Sequence, residues 1–233
     1  AVAQKDSVPT VRRAAVKALG DIAKDRPRLR LDIAQGLVPM LESKGGALDI
    51  QHARQVVRAL RTCNDPATAD ALSGLYVKVV GREDAFELVR DVISALAALG
   101  RNEHILVDAL RSPDKGVRIA AANSLLVAAK PEYAVKLVEA LSKETEPQVR
   151  QSLLTSIVQL GNFRPPQVLE AIRECLANPV LVRDAWVGLM EVVRAPVDRR
   201  PDEAQRAEVI RSLEETYAKQ AKAERSFLET AGG

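Results

Sequence analysis

Small and apolar residues follow a pattern along this chain that restarts every 28 to 42 residues. Counted from the start of each repetition, such residues recur 3, 4, 7, 8 and 11 positions further on. This is the spacing of one face of an α-helix, so the pattern predicts six amphipathic helices. Each repetition begins at a Val-Arg-like pair: Val11-Arg12, Ala53-Arg54, Val89-Arg90, Val117-Arg118, Val149-Arg150 and Val182-Arg183.

The second repetition departs from this pattern. Val56, Val57 and Leu60 keep it, but Arg61 and Asn64 stand where apolar residues are expected. Gly45-Gly46, just upstream, is typical of a flexible connection. We therefore expect less regular stacking at this point in the chain.

Shorter amphipathic segments lie between the six predicted helices, and helix-breaking residues precede them. Asp65-Pro66, for example, combines a capping residue with a proline at the first helical position, and Pro131, Pro165 and Pro166 are placed similarly. Each repetition is therefore predicted to be a helical hairpin, and stacked hairpins share one continuous core. The connecting helices are expected at Leu29 to Glu42, Ala67 to Val80, Glu103 to Arg111, Glu132 to Ser142 and Gln167 to Ala177.

This pattern resembles the HEAT repeat. The segment DSVPTVRRAAVKALGDI, from Asp6 to Ile22, is similar to the second half of such a repeat, and so is ETEPQVRQSLLTSIVQLG, from Glu144 to Gly161. The resemblance implies an all-α fold, a right-handed α-solenoid of about six stacked HEAT-like helical hairpins with a long C-terminal helix. It implies a repeat domain over residues 1–195, and it specifies architecture far more than function.

The two ends suggest how the stack begins and closes. Ala1 to Lys5 stands where the first helix of the opening hairpin should finish, so we expect a truncated hairpin and a natural chain that extends upstream. Residues 196–233 are expected to form a loop between Pro196 and Pro201, then one long helix from Asp202 to Glu229. That helix is expected to close the stack and project from it, or to fray over its last residues. Its apolar side contains Val209, Ile210, Leu213, Tyr217 and Ala221.

Composition and charge narrow the possible partners. Aromatic residues make up 3% of the chain, so the core must consist of Ala, Leu, Val and Ile. The 34 basic and 31 acidic side chains leave a net charge of +3, too weak for a dominant grip on a polyanion. Nucleic acid is therefore an unlikely partner on charge grounds. Arg outnumbers Lys by 23 to 11, which suits a GC-rich bacterial gene.

No arrangement of reactive residues predicts catalysis, a metal site or a cofactor. His52 and His104 lie far apart, and neither has a partner at ligand spacing. Gly45-Gly46 lacks the Lys-Ser/Thr and the preceding strand of a phosphate loop. Cys63 and His52 stand eleven residues apart on one predicted helix, too far for a nucleophile and its base, and Cys63 and Cys175 are expected to be ordinary thiols.

The repeated arginines offer two interpretations. Arg12, Arg54, Arg90, Arg118, Arg150 and Arg183 could form a ladder of cations that holds an acidic strand. They also resemble the structural arginine of the HEAT family, which pairs with acidic groups or carbonyls in neighbouring turns, and this interpretation is favoured. Trp186 lies on the core stripe, which favours packing over stacking on a base.

The opposite side of the second helices is the candidate binding surface. Positions 2, 5 and 9, counted from the first residue of each Val-Arg-like pair, point away from the core stripe, towards the concave face of a two-layer solenoid. In the last three repetitions six of these nine residues are apolar, which suggests a groove for a helix or an extended peptide. The alternative is that these side chains are buried by curvature or by the C-terminal helix. The predicted partner-binding residues are Ile119, Leu126, Leu154, Val158 and Val187, with Arg13 and Arg58 at a more basic end.

The sequence therefore favours a non-catalytic protein-binding scaffold module that is part of a larger protein. The first alternative is a HEAT protein that binds a nucleic-acid backbone, as a family of DNA glycosylases does, but it needs a basic groove. The second is an enzyme subunit similar to the HEAT-like lyases that attach bilins, which needs a polar pocket. No apolar run is long enough to span a bilayer. The oligomeric state and compartment stay open, with a cytoplasmic location favoured and a targeting segment possible before Ala1.

Overall fold

A computed structural model describes residues 8–42, 48–196, 198–199 and 201–231, with side chains described as far as residue 218. Ala1 to Lys5 and Gly45-Gly46, which two of the expectations concern, lie outside these residues, as does the side chain of Ala221. Within the described ranges every regular element is a helix. The chain forms two compact units, Ala1–Ala128 and Ala129–Gly233.

In the described part of the first unit, short 3₁₀ turns precede or extend several of the α-helices. These turns are Pro27–Leu29, Val38–Leu41, Pro66–Thr68 and Glu83–Ala85. The α-helices are α1 (Pro9–Asp25), α2 (Arg30–Leu37), α3 (Ile50–Cys63), α4 (Ala69–Val79), α5 (Phe86–Leu99), α6 (Glu103–Ala109) and α7 (Lys115–Ala128).

The second unit continues the alternation of shorter and longer helices. Its described helices are α8 (Tyr133–Leu141), α9 (Pro147–Leu160), α10 (Pro166–Cys175), α11 (Val182–Arg194) and α12 (Glu203–Ala231). The helices that carry the Val-Arg-like pairs are α1, α3, α5, α7, α9 and α11, and they are called the second helices below.

Helix ends are set by residues that the sequence marks plainly. The Asp49 carboxylate accepts a hydrogen bond from the His52 amide at 3.0 Å and caps the start of α3. Gly161 ends α9 in the left-handed conformation, with φ of 63°, as glycine does most readily. Asn64 ends α3 in the same way, with φ of 52°. The polar residue that seemed to break the second repetition is therefore the cap of its helix.

The helices pack in series within each unit. The second helices pack on one another, α1 on α3, α3 on α5, α5 on α7, and α9 on α11. The shorter helices pack on the second helix that follows them, as α4 does on α5 and α8 does on α9. The predicted fold class, an all-α solenoid of helical hairpins, is confirmed.

The last helix, α12, packs on α11 through Val209 and Leu213, which are both buried. Arg173 of α10 and Glu208 of α12 form an ion pair at 2.8 Å across 35 residues, which is close to the repeat length. Ile210 and Tyr217, which the sequence places on the same apolar side, are 40% and 67% exposed. The packed stripe of α12 is narrower than the apolar stripe of its sequence.

Polar side chains also join each hairpin to the next at about the repeat spacing. Asn102, just before α6, donates to Ser73 Oγ of α4 at 2.6 Å. This bond gives a polar side chain in the turn before α6 a partner in the preceding hairpin. Similar bonds join Arg54 to Asp91, Gln151 to Asp184 and Asn162 to the Pro131 carbonyl, at 2.9, 3.1 and 2.9 Å.

The core of α1 lies on a different face from the predicted one. Ala14, Ala18 and Ile22 were expected to be buried, but they are exposed. Val16 and Gly20 are buried instead, and a Cβ on Gly20 would lie 3.3 Å from the Cβ of Ala59 on α3. The side of α1 that packs is therefore the one that faces the next second helix.

The packing of second helices on one another also corrects the predicted binding surface. Leu154 of α9 was expected to be exposed on the concave face, but it is fully buried. Ala122 of α7 and Val16 of α1, at the same fifth position after their pairs, are fully buried as well. Because α1 and α9 each pack on the next second helix, this position is part of the core rather than of the free surface.

Truncation of Leu154 should therefore destabilise the protein. We expect Leu154→Ala to lower the free energy of unfolding by about 2–5 kcal/mol, since it deletes a buried side chain and leaves a cavity. Urea denaturation followed by circular dichroism measures this change. Val187→Ala, at the same helical position but half exposed, is the control and should change stability by less than about 0.5 kcal/mol. Equal stability of the two variants would contradict the assignment.

Loss of the Asp91 charge should also destabilise the first unit. Its carboxylate pairs with Arg54 and Arg58, and the Arg54 and Asp91 side chains are only 15% and 18% exposed. We expect Asp91→Asn to cost about 1–3 kcal/mol, because it leaves the mostly buried Arg54 guanidinium with only the exposed carboxylate of Glu87 as its ionic partner. The control is Asp84→Asn in the exposed Arg82–Asp84 pair, which should change the urea midpoint little. A larger loss for the control would argue against the role of Asp91.

Candidate functional site

A cavity of about 420 Å³ opens between the C-terminal part of α9, one side of α11 and the loops that follow both helices. This volume lies within the range of small-molecule and side-chain binding pockets. All of the residues that line it belong to the second unit: Thr155, Val158, Gln159, Gly161, Phe163, Asp184, Val187, Glu191, Arg194, Ala195, Pro196 and Arg199. This space is called the α9/α11 cavity.

Part of the cavity wall is apolar, including Val158, Phe163 and Val187, and two contacts hold this part in place. The Phe163 amide donates to the Arg199 carbonyl at 3.0 Å, which fixes the buried Phe163 ring against the loop after α11. Gly188 allows α11 to approach α9, because a Cβ at that position would lie 2.7 Å from Val158 Cγ2. This approach leaves Val158 half-buried. Val187, the residue directly before Gly188 on α11, stays 49% exposed.

The charged side chains of the cavity are balanced. Asp184 and Glu191 of α11 supply two carboxylates, and Arg194 and Arg199 supply two guanidinium groups. Arg194 lies 3.6 Å from Glu191 in an exposed pair of the kind that contributes little to stability. The arrangement can surround an apolar group with polar contacts of both signs, but it does not concentrate positive charge.

The structure separates the seven predicted binding residues. Val158 and Val187 lie together in the α9/α11 cavity, and the buried Leu154 is not available to a partner. Ile119 and Leu126 are half-buried on α7 in the first unit. Arg13 and Arg58 are engaged in ion pairs, with Asp49 at 4.0 Å and with Asp91 at 3.2 Å.

Several cavity residues escaped the sequence analysis because they lie outside the helical pattern. Phe163, Pro196 and Arg199 are in the loops after α9 and α11, where a periodic pattern gives no information. The scarcity of aromatic residues was the one available signal for Phe163, since the chain has only three phenylalanines.

The repeated arginines bind neighbouring groups of the fold at several positions. Arg54 pairs with Asp91 and Glu87 of α5. Arg118 donates to the carbonyls of Ser112 and Pro113 at 2.9 and 3.0 Å, and Arg150 donates to those of Leu141 and Glu144 at 3.2 and 2.9 Å. These contacts support the structural interpretation over a cation ladder. Arg183 is exposed, and Trp186 is half-buried rather than enclosed in the core.

The cysteines and His52 have surroundings that suppress reactivity. Burial raises the pKa of the Cys63 thiol and also that of the Cys175 thiol, which keeps both in the protonated, weakly nucleophilic form. Burial lowers the pKa of His52, so this imidazole is neutral at pH 7. His52 and Cys63 stand at opposite ends of α3, about 16 Å apart along the helix axis.

Cys175 lines a second cavity of about 370 Å³ between α8, α9 and α10, together with Arg150, Glu170 and Glu174. Arg150 is occupied by main-chain carbonyls there, so the guanidinium acts in the fold. In the part of the chain that the structure describes, no three His, Cys, Asp or Glu side chains are grouped as a metal site. No helix among those residues combines the length and the apolar character needed to cross a membrane.

Comparison with known families gives two matches. A model of HEAT repeats matches residues 103–191, which include α6 to α10 and most of α11, and a model of the single HEAT repeat matches residues 2–25. No curated protein matches the chain. The larger match contains the lining residues of the α9/α11 cavity from Thr155 to Glu191, whereas those from Arg194 to Arg199 lie beyond its end. These matches and the serially packed helical hairpins show that the chain contains HEAT repeats.

Proposed function

We propose that this chain is a non-catalytic protein-binding module, and that the α9/α11 cavity is where a partner segment inserts an apolar side chain. HEAT repeats commonly form protein-interaction scaffolds. The observation that supports this site is the exposed Val187 beside Val158 and Phe163, in a cavity large enough for a side chain. Such an apolar pocket with a polar rim is the usual form of an anchoring site in a protein interface.

The proposal assigns Val187 and Val158 the main contact with the partner. Ile119 and Leu126 of α7 offer a second apolar contact in the first unit, and Arg13 and Arg58 remain proposed contacts at its edge. A half-exposed valine loses its remaining water when a partner covers it, which favours binding at about 25 cal/mol per Å² of apolar surface. Binding of the partner is therefore expected to persist at high salt concentration.

Charge favours a protein over nucleic acid as the partner. The nucleic-acid hypothesis requires free cations, yet Arg13 and Arg58 are already paired with carboxylates. The α9/α11 cavity holds as many carboxylates as guanidinium groups. A backbone of phosphates would meet repulsion as well as attraction at such a surface.

Val187→Asp should abolish capture of the partner. The immobilised chain is incubated with native lysate at about 0.15 M and about 1 M salt, and quantitative mass spectrometry identifies the proteins that are retained. We expect at least one protein to survive high salt on the wild-type chain and to fall about tenfold or more on Val187→Asp, because a charge would be buried against its apolar anchor.

The control is Val180→Asp, which places the same charge on a valine that is 57% exposed and lies outside the cavity. It should capture the partner as the wild-type chain does, and both variants should keep the wild-type melting temperature. Retention of nucleic acid alone, lost steeply with salt and with nuclease, would contradict the proposal. So would a salt-resistant partner that binds Val187→Asp unchanged.

A further inference from the structure

The position of Val187 in its repeat indicates what kind of segment covers it. Val187 is the fifth residue after Val182, the first residue of its Val-Arg-like pair. The residues at this position on α1 and α9 are Val16 and Leu154, both fully buried on helices that pack against the next second helix. On α3 the same position is Arg58, which bonds to Asp91 of the next second helix, α5. The fifth position therefore faces the next second helix.

A second contact has the same register in both units. Gly20 on α1 approaches Ala59 on α3, and Val158 on α9 approaches Gly188 on α11. In each case the ninth position of one second helix meets the sixth position of the next. On α11 the ninth position is Glu191, which is exposed. Val187 and Glu191 thus present to solvent the two positions that contact the next second helix on α1 and on α9.

We infer that an amphipathic helix of the partner protein packs on α11. It contacts α11 in the same register in which α11 contacts α9. This inference rests on the proposed function and names the partner's form. The incoming helix places an apolar side chain over Val187 and into the α9/α11 cavity. A helix is favoured over an extended strand because the surface repeats an existing contact between helices.

The charges on α11 specify the rest of the incoming helix. Asp184, Val187 and Glu191 are spaced by three and four residues, so they form one acid–apolar–acid stripe. Asp184 accepts a hydrogen bond from the neutral Gln151 amide at 3.1 Å, which leaves its negative charge uncompensated by that contact. A partner helix with basic side chains on either side of its apolar anchor complements this stripe.

Other charges set the limits of the site. Arg194 lies 3.6 Å from Glu191, and Arg199 stands in the following loop, both in the wall of the cavity. Arg183 is exposed one residue before Asp184. These three cations oppose further basic residues beyond the stripe, so the partner helix carries basic groups beside the anchor and not along its whole length.

A selection from a peptide library tests this inference. The probe is a phage-displayed library built on a 16-residue helical peptide with one randomised face, about four turns long. It is selected on the chain and counter-selected on Val187→Asp. We expect enriched peptides to carry Lys or Arg three or four residues before and after a central Leu, Ile or Met, and to gain helicity on binding by circular dichroism.

Variants of the chain then test each contact. Enriched peptides should bind Val187→Asp at least tenfold more weakly and Glu191→Lys or Asp184→Asn several-fold more weakly, in fluorescence anisotropy at low salt. Val180→Asp should bind them as the wild-type chain does. Enrichment of acidic or extended peptides, or no peptide that distinguishes the wild-type chain from Val187→Asp, overturns the inference.

The outcomes also separate this inference from the proposed function. If Val187→Asp loses the native partner while the enriched peptides ignore Glu191→Lys and Asp184→Asn, the basic helix is wrong and the binding site stands. If neither the native partner nor the peptides respond to Val187→Asp, both fail.

Discussion

The close approach of neighbouring second helices is the constraint on which the rest of this fold depends. At two of the crossings the approach needs a glycine: Gly20 against Ala59 in the first unit and Gly188 against Val158 in the second. A larger side chain at Gly188 would meet Val158 at 2.7 Å and would push α11 away from α9. Because the same step recurs, α3, α5 and α9 each bury one face against the shorter helix before them and a further edge against the next second helix.

Two consequences follow for polar side chains. The turns between helices leave main-chain groups without helical partners, and side chains such as Arg118, Arg150 and Asn162 supply hydrogen bonds to their carbonyls. The approach of the second helices also brings Arg54 close enough to Asp91 for an ion pair that is mostly out of water. Arg54, Arg118 and Arg150 are therefore engaged in the fold, so the repetition of arginine along the sequence does not by itself indicate a repeated ligand.

Sequence periodicity predicted the hairpins and most of their boundaries because those features are local. Caps such as Asp49 and Gly161 act within one turn of the helix end at which they stand. The burial of Leu154 could not be obtained in the same way, since the pattern within one helix identifies a single apolar face and does not say how many neighbours that helix has. The cavity was predicted only through Val158 and Val187, because Phe163 and Arg199 reach it from irregular loops.

The same argument explains why one position has different roles in different repeats. At the fifth position, Leu154 has a following second helix and contributes to stability, whereas Val187 keeps half of its surface in water. The physical cost of leaving one valine exposed is small, because isolated apolar side chains are common on protein surfaces. Its setting is what distinguishes Val187: a cavity lies beside it, carboxylates stand on both sides of it, and its register matches a contact already made between helices. In this repeat the fifth position is not covered by another second helix. The apolar packing that holds one second helix on the next elsewhere in the chain can therefore hold a partner helix at Val187.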